Sequence, residues 1–282
     1  MKNEVMWPEL RPWEMEAFNP NEYVNLMLAE GDSWFAWGYL NLQPSPNVLT
    51  SMEFSNSTAT LSFADSGDTI GDMARISRSG GFYRELMDRR YGALLLSGGG
   101  NDLFDALRLG HILRKPAKGE DPAAEPEAYV NWNAVEQLKD YVAINYRRLL
   151  SWRGESLSKN RDTPFILYTY DYPMPRPAKA QVAGLPAIGT WLHAPLLAVD
   201  APPALHFEII RRVVDRLAET ILALADPAAG IHVVDTRGLL IPAQSGTEGD
   251  SNDWANEVHP NRSGYAKIAA ALGAKLNTLG IG

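Results

Sequence analysis

Short apolar runs alternate with amphipathic helical patterns along the whole of this chain, and few architectures accommodate that alternation. The runs at 22–30 (EYVNLMLAE) and 58–64 (TATLSFA), the ALLLS of YGALLLSGGGND, 163–171 (TPFILYTYD) and 230–238 (GIHVVDTRG) read as five buried strands. A helical stretch starts just after Ser33. Helical periodicity also covers 72–90, 129–152, 203–225 and 262–278; in the second of these Val130, Ala134, Leu138, Val142 and Leu149 lie on or near one face. Strand–helix alternation implies a mostly parallel sheet covered on both faces through right-handed crossovers. In such sheets ligands sit beyond the carboxyl ends of the strands. Residues 1–19 read as an N-terminal arm in which Pro8 and Pro12, with Pro20 just beyond, discourage a helix. Residues 20–282 read as one domain with insertions at about 103–128 and 172–202, the second Pro-rich and apolar.

Composition removes several function classes. The chain has 26 Lys and Arg against 34 Asp and Glu, a net charge of −8, with no basic stripe. That balance argues against nucleic acid and anionic membrane as partners. There is no cysteine, so disulfides, zinc–thiolate sites, iron–sulfur clusters and cysteine nucleophiles are excluded. The N-terminal MKNEVMWPELRPWEMEAF places acids and prolines where a signal peptide needs an apolar stretch. No run reaches the roughly 18 apolar residues of a membrane span. The expectation is a soluble, cytoplasmic protein with no integral membrane association.

Three polar clusters follow strands. Gly31-Asp32-Ser33 puts a serine at a helix start, where free N–H groups and the helix dipole favour negative charge. Gly98-Gly99-Gly100-Asn101-Asp102 offers a tight turn and an Asn amide with two donors; Leu103 stands where a dinucleotide fingerprint needs its third glycine. Asn256-Glu257-Val258-His259-Pro260 supplies an imidazole, the usual general base near neutral pH. The other histidines (His111, His193, His206, His232) lack metal-ligand spacing, and Asp65, Asp68 and Asp72 do not match a calcium loop.

Together these clusters resemble the blocks of the SGNH (GDSL-type) hydrolase superfamily. Gly31-Asp32-Ser33 is similar to the serine block, and Gly67 within DSGDT to the glycine of the loop after the second strand. Gly99-Gly100-Asn101-Asp102 matches Gly-x-Asn-Asp, and Asn256-Glu257-Val258-His259 resembles the last block, Asp-x-x-His. All four occur in the family's order, across residues 24 to 278. The departure is Asn256, where the family carries the triad Asp; Asp253, three residues earlier, is its rival.

The resemblance implies a three-layer α/β/α, flavodoxin-like fold with a five-stranded sheet. It implies ester hydrolysis through an acyl-enzyme, with Ser33 as nucleophile and His259 as base, oriented by Asn256 or Asp253. The oxyanion hole would come from the N–H groups of Ser33 and Gly67 and the Asn101 amide. No cofactor or metal is required. Trp34 beside the serine, Tyr170 at the end of the fourth strand and Trp191 in a candidate lid at 172–202 are the expected substrate-binding residues. The substrate is a small-molecule ester. A short-chain ester, a lysophospholipid and an acetylated sugar remain open, as does a catalytically silent module that binds sugar or lipid.

Overall fold

The computed structural model describes residues 1–36, 46–121, 125–180 and 189–282. Six strands, β1 (Glu4–Met6), β2 (Asn25–Gly31), β3 (Thr58–Ser62), β4 (Ala93–Ser97), β5 (Phe165–Tyr168) and β6 (Ile231–Val234), form one sheet in the order β1-β3-β2-β4-β5-β6. Every neighbouring pair is parallel. All residues of β3, β4 and β5 are buried, which explains why these strands read as continuous apolar runs and not as alternating ones. The last strand, β6, lies at the sheet edge and is half-buried along its length.

The helices are α1 (Pro12–Ala17), α2 (Ile70–Met73), α3 (Gly80–Asp88), α4 (Gly100–Arg108), α5 (Trp132–Trp152), α6 (His193–Ala198), α7 (His206–Leu222) and α8 (Arg262–Thr278). The Asn131 side chain caps α5 by accepting the Ala134 N–H at 3.4 Å, and Asn261 caps α8 through the Gly264 N–H at 3.1 Å. The buried face of α5 carries Val135, Val142, Tyr146 and Leu149, near-heptad spacing that meets α7 on one side and α2 on the other. On α3, Tyr83 stacks edge-on against Trp152 at the end of α5, with ring centroids 5.4 Å apart. Helix α8 packs instead on β5, β6 and the turn at Leu49–Ser51 in the β2–β3 connection. Right-handed crossovers put the connections from β3 onward on one face and the β2–β3 connection on the other, so the sheet is sandwiched between two helical layers.

Three expectations need correction. The sheet has six strands, not five, because Glu4, Val5 and Met6 pair with Ala59, Thr60 and Leu61 of β3. Three residues are too few to reveal a strand period. The same arm contains a helix, α1, whose first residue is Pro12. Proline is suited to that position because its missing N–H has no partner to lose there. Likewise 72–90 is not one helix but α2 and α3, separated at residues 74–79. The helix expected after Ser33 begins as one turn, with the Ala36 N–H donating to the Asp32 carbonyl at 2.9 Å. Residues 37–45, including Trp37, lie outside the described residues.

Leaving β1 aside, the chain steps outward from β2 to β3 and then returns past β2 to β4. That reversal opens a crevice at the carboxyl ends of β2 and β4. The turns after these two strands carry Ser33 and Asn101. No helix among the described residues is long and apolar enough to cross a membrane.

Candidate active site

Ser33 and His259, 226 positions apart, meet in this crevice, with Ser33 Oγ 2.9 Å from His259 Nε2. The other ring nitrogen, Nδ1, lies 3.1 Å from Asn256 Oδ1. That oxygen also accepts the backbone N–H groups of Val258 at 3.0 Å and His259 at 2.9 Å. Backbone N–H groups only donate, so the atom facing the ring must be the amide oxygen. It follows that Nδ1 carries the proton and Nε2 is left to accept one from Ser33. Burial pushes the His259 imidazole down to about 4, and among the described residues no carboxylate opposes it.

Asp253 is elsewhere. Its carboxylate accepts from the Ile241 N–H and the Ser263 hydroxyl, at 2.6 and 2.9 Å, and pairs with Lys267 at the start of α8. These bonds hold its carboxyl below the ordinary value. The rival reading of Asp253 as partner of His259 therefore gives way to a structural role. The carboxylate joins the loop after β6 to α8.

The Gly67 loop is drawn to the serine turn by the Asp65 N–H, which donates to the Gly31 carbonyl at 2.9 Å. Gly67 has a φ of +94°, a conformation that a side chain would strain. Asn101 Nδ2 donates to the Asp68 carbonyl at 2.9 Å, next to Gly67, and among the described residues nothing accepts its second hydrogen. Asp102 accepts the Ile70 N–H at 2.8 Å and so pins the same loop from its far side. Among the described residues nothing accepts from the backbone N–H of Ser33 or of Gly67. The structure thus ties the Ser33, Gly67 and Asn101 turns to one another at one sheet edge.

Beneath them lies Asp32. It accepts the Trp34 N–H at 3.0 Å, the Ser97 hydroxyl at 2.9 Å and the Tyr170 hydroxyl, so one buried carboxylate joins the ends of β2, β4 and β5. This corrects two substrate-binding expectations. Tyr170 is 3% exposed with its hydroxyl spent on Asp32, and Trp34 is 2% exposed among Tyr168, Tyr170, Trp254 and Tyr265. Both are core residues. An aromatic beside a serine reads identically in sequence whether it points in or out. Trp191 does reach the site: its ring stands edge-on to that of His259, with centroids 6.0 Å apart. Elsewhere in the candidate lid Leu192 and Leu196 are core residues, while 181–188 lies outside the described residues.

Two residues that the sequence did not single out hold the histidine loop. Arg176, wholly buried, donates from its guanidinium to the carbonyls of Thr247 at 3.1 Å, Trp254 at 3.4 Å and Asn256 at 2.8 Å, and to that of Gly249. Glu257, also wholly buried, accepts backbone N–H groups from the 176 and 191–193 segments. Among the described residues no cluster of three or more His, Cys, Asp or Glu is placed to hold a metal ion.

Burial raises several of these carboxyls: Asp32 to about 6, Asp102 and Glu257 to about 7. A carboxyl whose value rises on folding binds more protons folded than unfolded. Its contribution to stability is complete below the unfolded value near 4 and is lost as pH climbs through 6 and 7. His259 opposes this only between about 4 and 6.5. Burial also raises the carboxyl of Glu30, and it lowers the imidazoles of His206 and His232; with the raised carboxyls in the majority, the Tm is expected to be higher at pH 5.5 than at pH 8. Equal Tm values in a calorimetric pH series would contradict that.

No protein-family model matches the chain, and no curated protein matches it in a sequence search. Solved structures do. The lipase Lip_vut3 from a goat rumen metagenome superposes with a TM-score of 0.54 at 16% identity, over 92% of this chain and 99% of the lipase. This chain shares the fold of that lipase. An inhibitor-bound aryl esterase of M. smegmatis is similar at 12% identity and a TM-score of 0.46, covering 91% of this chain and all (100%) of the esterase.

Proposed function

We propose that the protein is a serine hydrolase of carboxylic esters. The observation that carries this reading is the hydrogen-bonded chain Ser33 Oγ–His259 Nε2 and His259 Nδ1–Asn256 Oδ1, at 2.9 and 3.1 Å. In this mechanism Nε2 takes the hydroxyl proton as Oγ attacks the ester carbonyl, and the imidazolium then returns it to the departing alcohol. Water, activated by the same base, hydrolyses the acyl-enzyme. The developing oxyanion is met by the N–H groups of Ser33 and Gly67 and the second hydrogen of the Asn101 amide, donors that need no reorganisation as charge appears. Asp32 and Asp102 serve as scaffolding. The purified protein is expected to hydrolyse p-nitrophenyl esters, assayed from acetyl to palmitoyl. Absence of turnover across that series, with saccharide or lipid binding retained, would favour the silent binding module instead.

Asn256 gives the reading a distinctive pH signature. A neutral amide fixes the tautomer of His259 but adds no negative charge to stabilise the imidazolium. The base therefore stays unprotonated, and kcat/KM stays high, well below the ordinary imidazole value of 6.5. Asn256→Asp keeps the oxygen acceptor and adds a charge, so the acid limb of the profile should move to higher pH. Asp253→Asn should leave that limb in place while lowering Tm, because it strips a buried partner from Lys267. An acid limb that moves with Asp253→Asn and not with Asn256→Asp would reverse the two assignments.

A further inference from the structure

The proposed reaction makes no use of Glu257, although it lies two residues from His259 and has no solvent exposure. Both of its oxygens are filled by backbone donors. Oε1 accepts from His193 at 2.6 Å and Arg176 at 3.3 Å; Oε2 accepts from Leu192 at 3.1 Å and from Trp191. Four N–H groups from two remote segments thus converge on one carboxylate. Such charge-assisted bonds are about twice as strong as neutral ones, and an acceptor of this kind fixes the backbone it binds. What it fixes is Trp191, whose partly exposed ring stands at 81° to the His259 ring. Gly189 lies against that indole so closely that a Cβ there would meet the ring at 2.8 Å. The ring is therefore backed by the chain at Gly189, and the residue that carries it is held through its backbone N–H by Glu257.

The side of the pocket follows from the chemistry. The imidazole must deliver its proton to the oxygen of the departing alcohol, so the alcohol half of the ester lies next to His259. An indole packed against that ring borders the alcohol half, not the acyl half. We propose that Glu257 is a positioning residue that clamps Trp191 as the wall of the alcohol side of the pocket, selecting esters of aromatic or bulky apolar alcohols. This rests on the Ser33–His259 reading above.

The test compares 2-naphthyl acetate with ethyl acetate, and separately p-nitrophenyl esters of increasing acyl length. Losing an apolar wall of this kind typically costs about 10-fold or more in discrimination. Trp191→Ala is expected to lower kcat/KM for 2-naphthyl acetate by about that factor relative to ethyl acetate, leaving the acyl-length profile unchanged. Glu257→Gln places an NH2 against two backbone donors and should give the same relative loss. Because one residue acts through the other, the double variant should be no more impaired than Trp191→Ala alone. Glu257→Asp keeps both acceptor oxygens and should restore much of the discrimination. It also serves if Glu257→Gln does not fold. A uniform loss on all esters in the Glu257 variants, additive losses in the double variant, or a shift in acyl preference with alcohol preference intact would each overturn the inference. Turnover that survives Ser33→Ala would overturn the serine-hydrolase reading itself, a separate outcome.

Discussion

Ser33→Ala is expected to reduce ester turnover by about 10⁴-fold or more while leaving the circular dichroism and Tm unchanged. The hydroxyl that it removes makes a hydrogen bond to His259 but supports no strand, helix or core contact. The scaffolding of this turn is carried by its neighbour Asp32, which the substitution leaves in place. On the proposed mechanism, what remains is whatever rate the oxyanion donors supply alone. A fluorophosphonate should label the wild-type protein on Ser33, read by peptide mass spectrometry, and should not label the variant. Near wild-type turnover in a folded Ser33→Ala protein would remove the nucleophile from the mechanism.

Asn101→Ala is expected to lower kcat by about 100- to 1000-fold with little change in KM. The amide is proposed to meet charge that exists only in the transition state, so its loss falls on the chemical step. A structural contribution must be separated from this, because Asn101 also donates to the Asp68 carbonyl beside Gly67. That bond is worth about 1 kcal/mol of stability. A 100- to 1000-fold rate loss corresponds to roughly 3–4 kcal/mol and cannot be a relayed stability effect of that size. A small fall in Tm together with a large fall in kcat is the expected pair. If KM rises and kcat holds, Asn101 binds the ground-state ester and is not an oxyanion donor.

The parts of the site that could be read in the sequence are those whose chemistry is local. Gly67 needs its positive φ whatever surrounds it, and the turns after β2 and β4 each announce a polar residue at a strand end. The Asn256 side-chain oxygen reaches the His259 ring within a single turn of chain, so a spacing of three residues carries the information. Arg176 and Glu257 were not legible, because their partners lie more than 60 residues away and one acceptor or donor among many leaves no pattern. Asp253 stood as a rival to Asn256 for the opposite reason. It is near His259 in sequence, yet its partners Ile241, Ser263 and Lys267 draw the carboxylate away. The sheet was legible through its central strands, whose burial on both faces writes itself as apolar runs, and not through β1, whose three residues are defined by the strand that they pair with.

That shortest strand has a role out of proportion to its length. Without β1, the outer ladder of β3 would present unpaired N–H and C=O groups along Thr58–Ser62. Such an open edge is a template for another chain's edge. With β1 in place the rim of the sheet becomes a segment three residues long that begins with Glu4, and both its brevity and its charge discourage further additions. The first residues of the chain therefore cover an edge that would otherwise be open to strand pairing with another molecule.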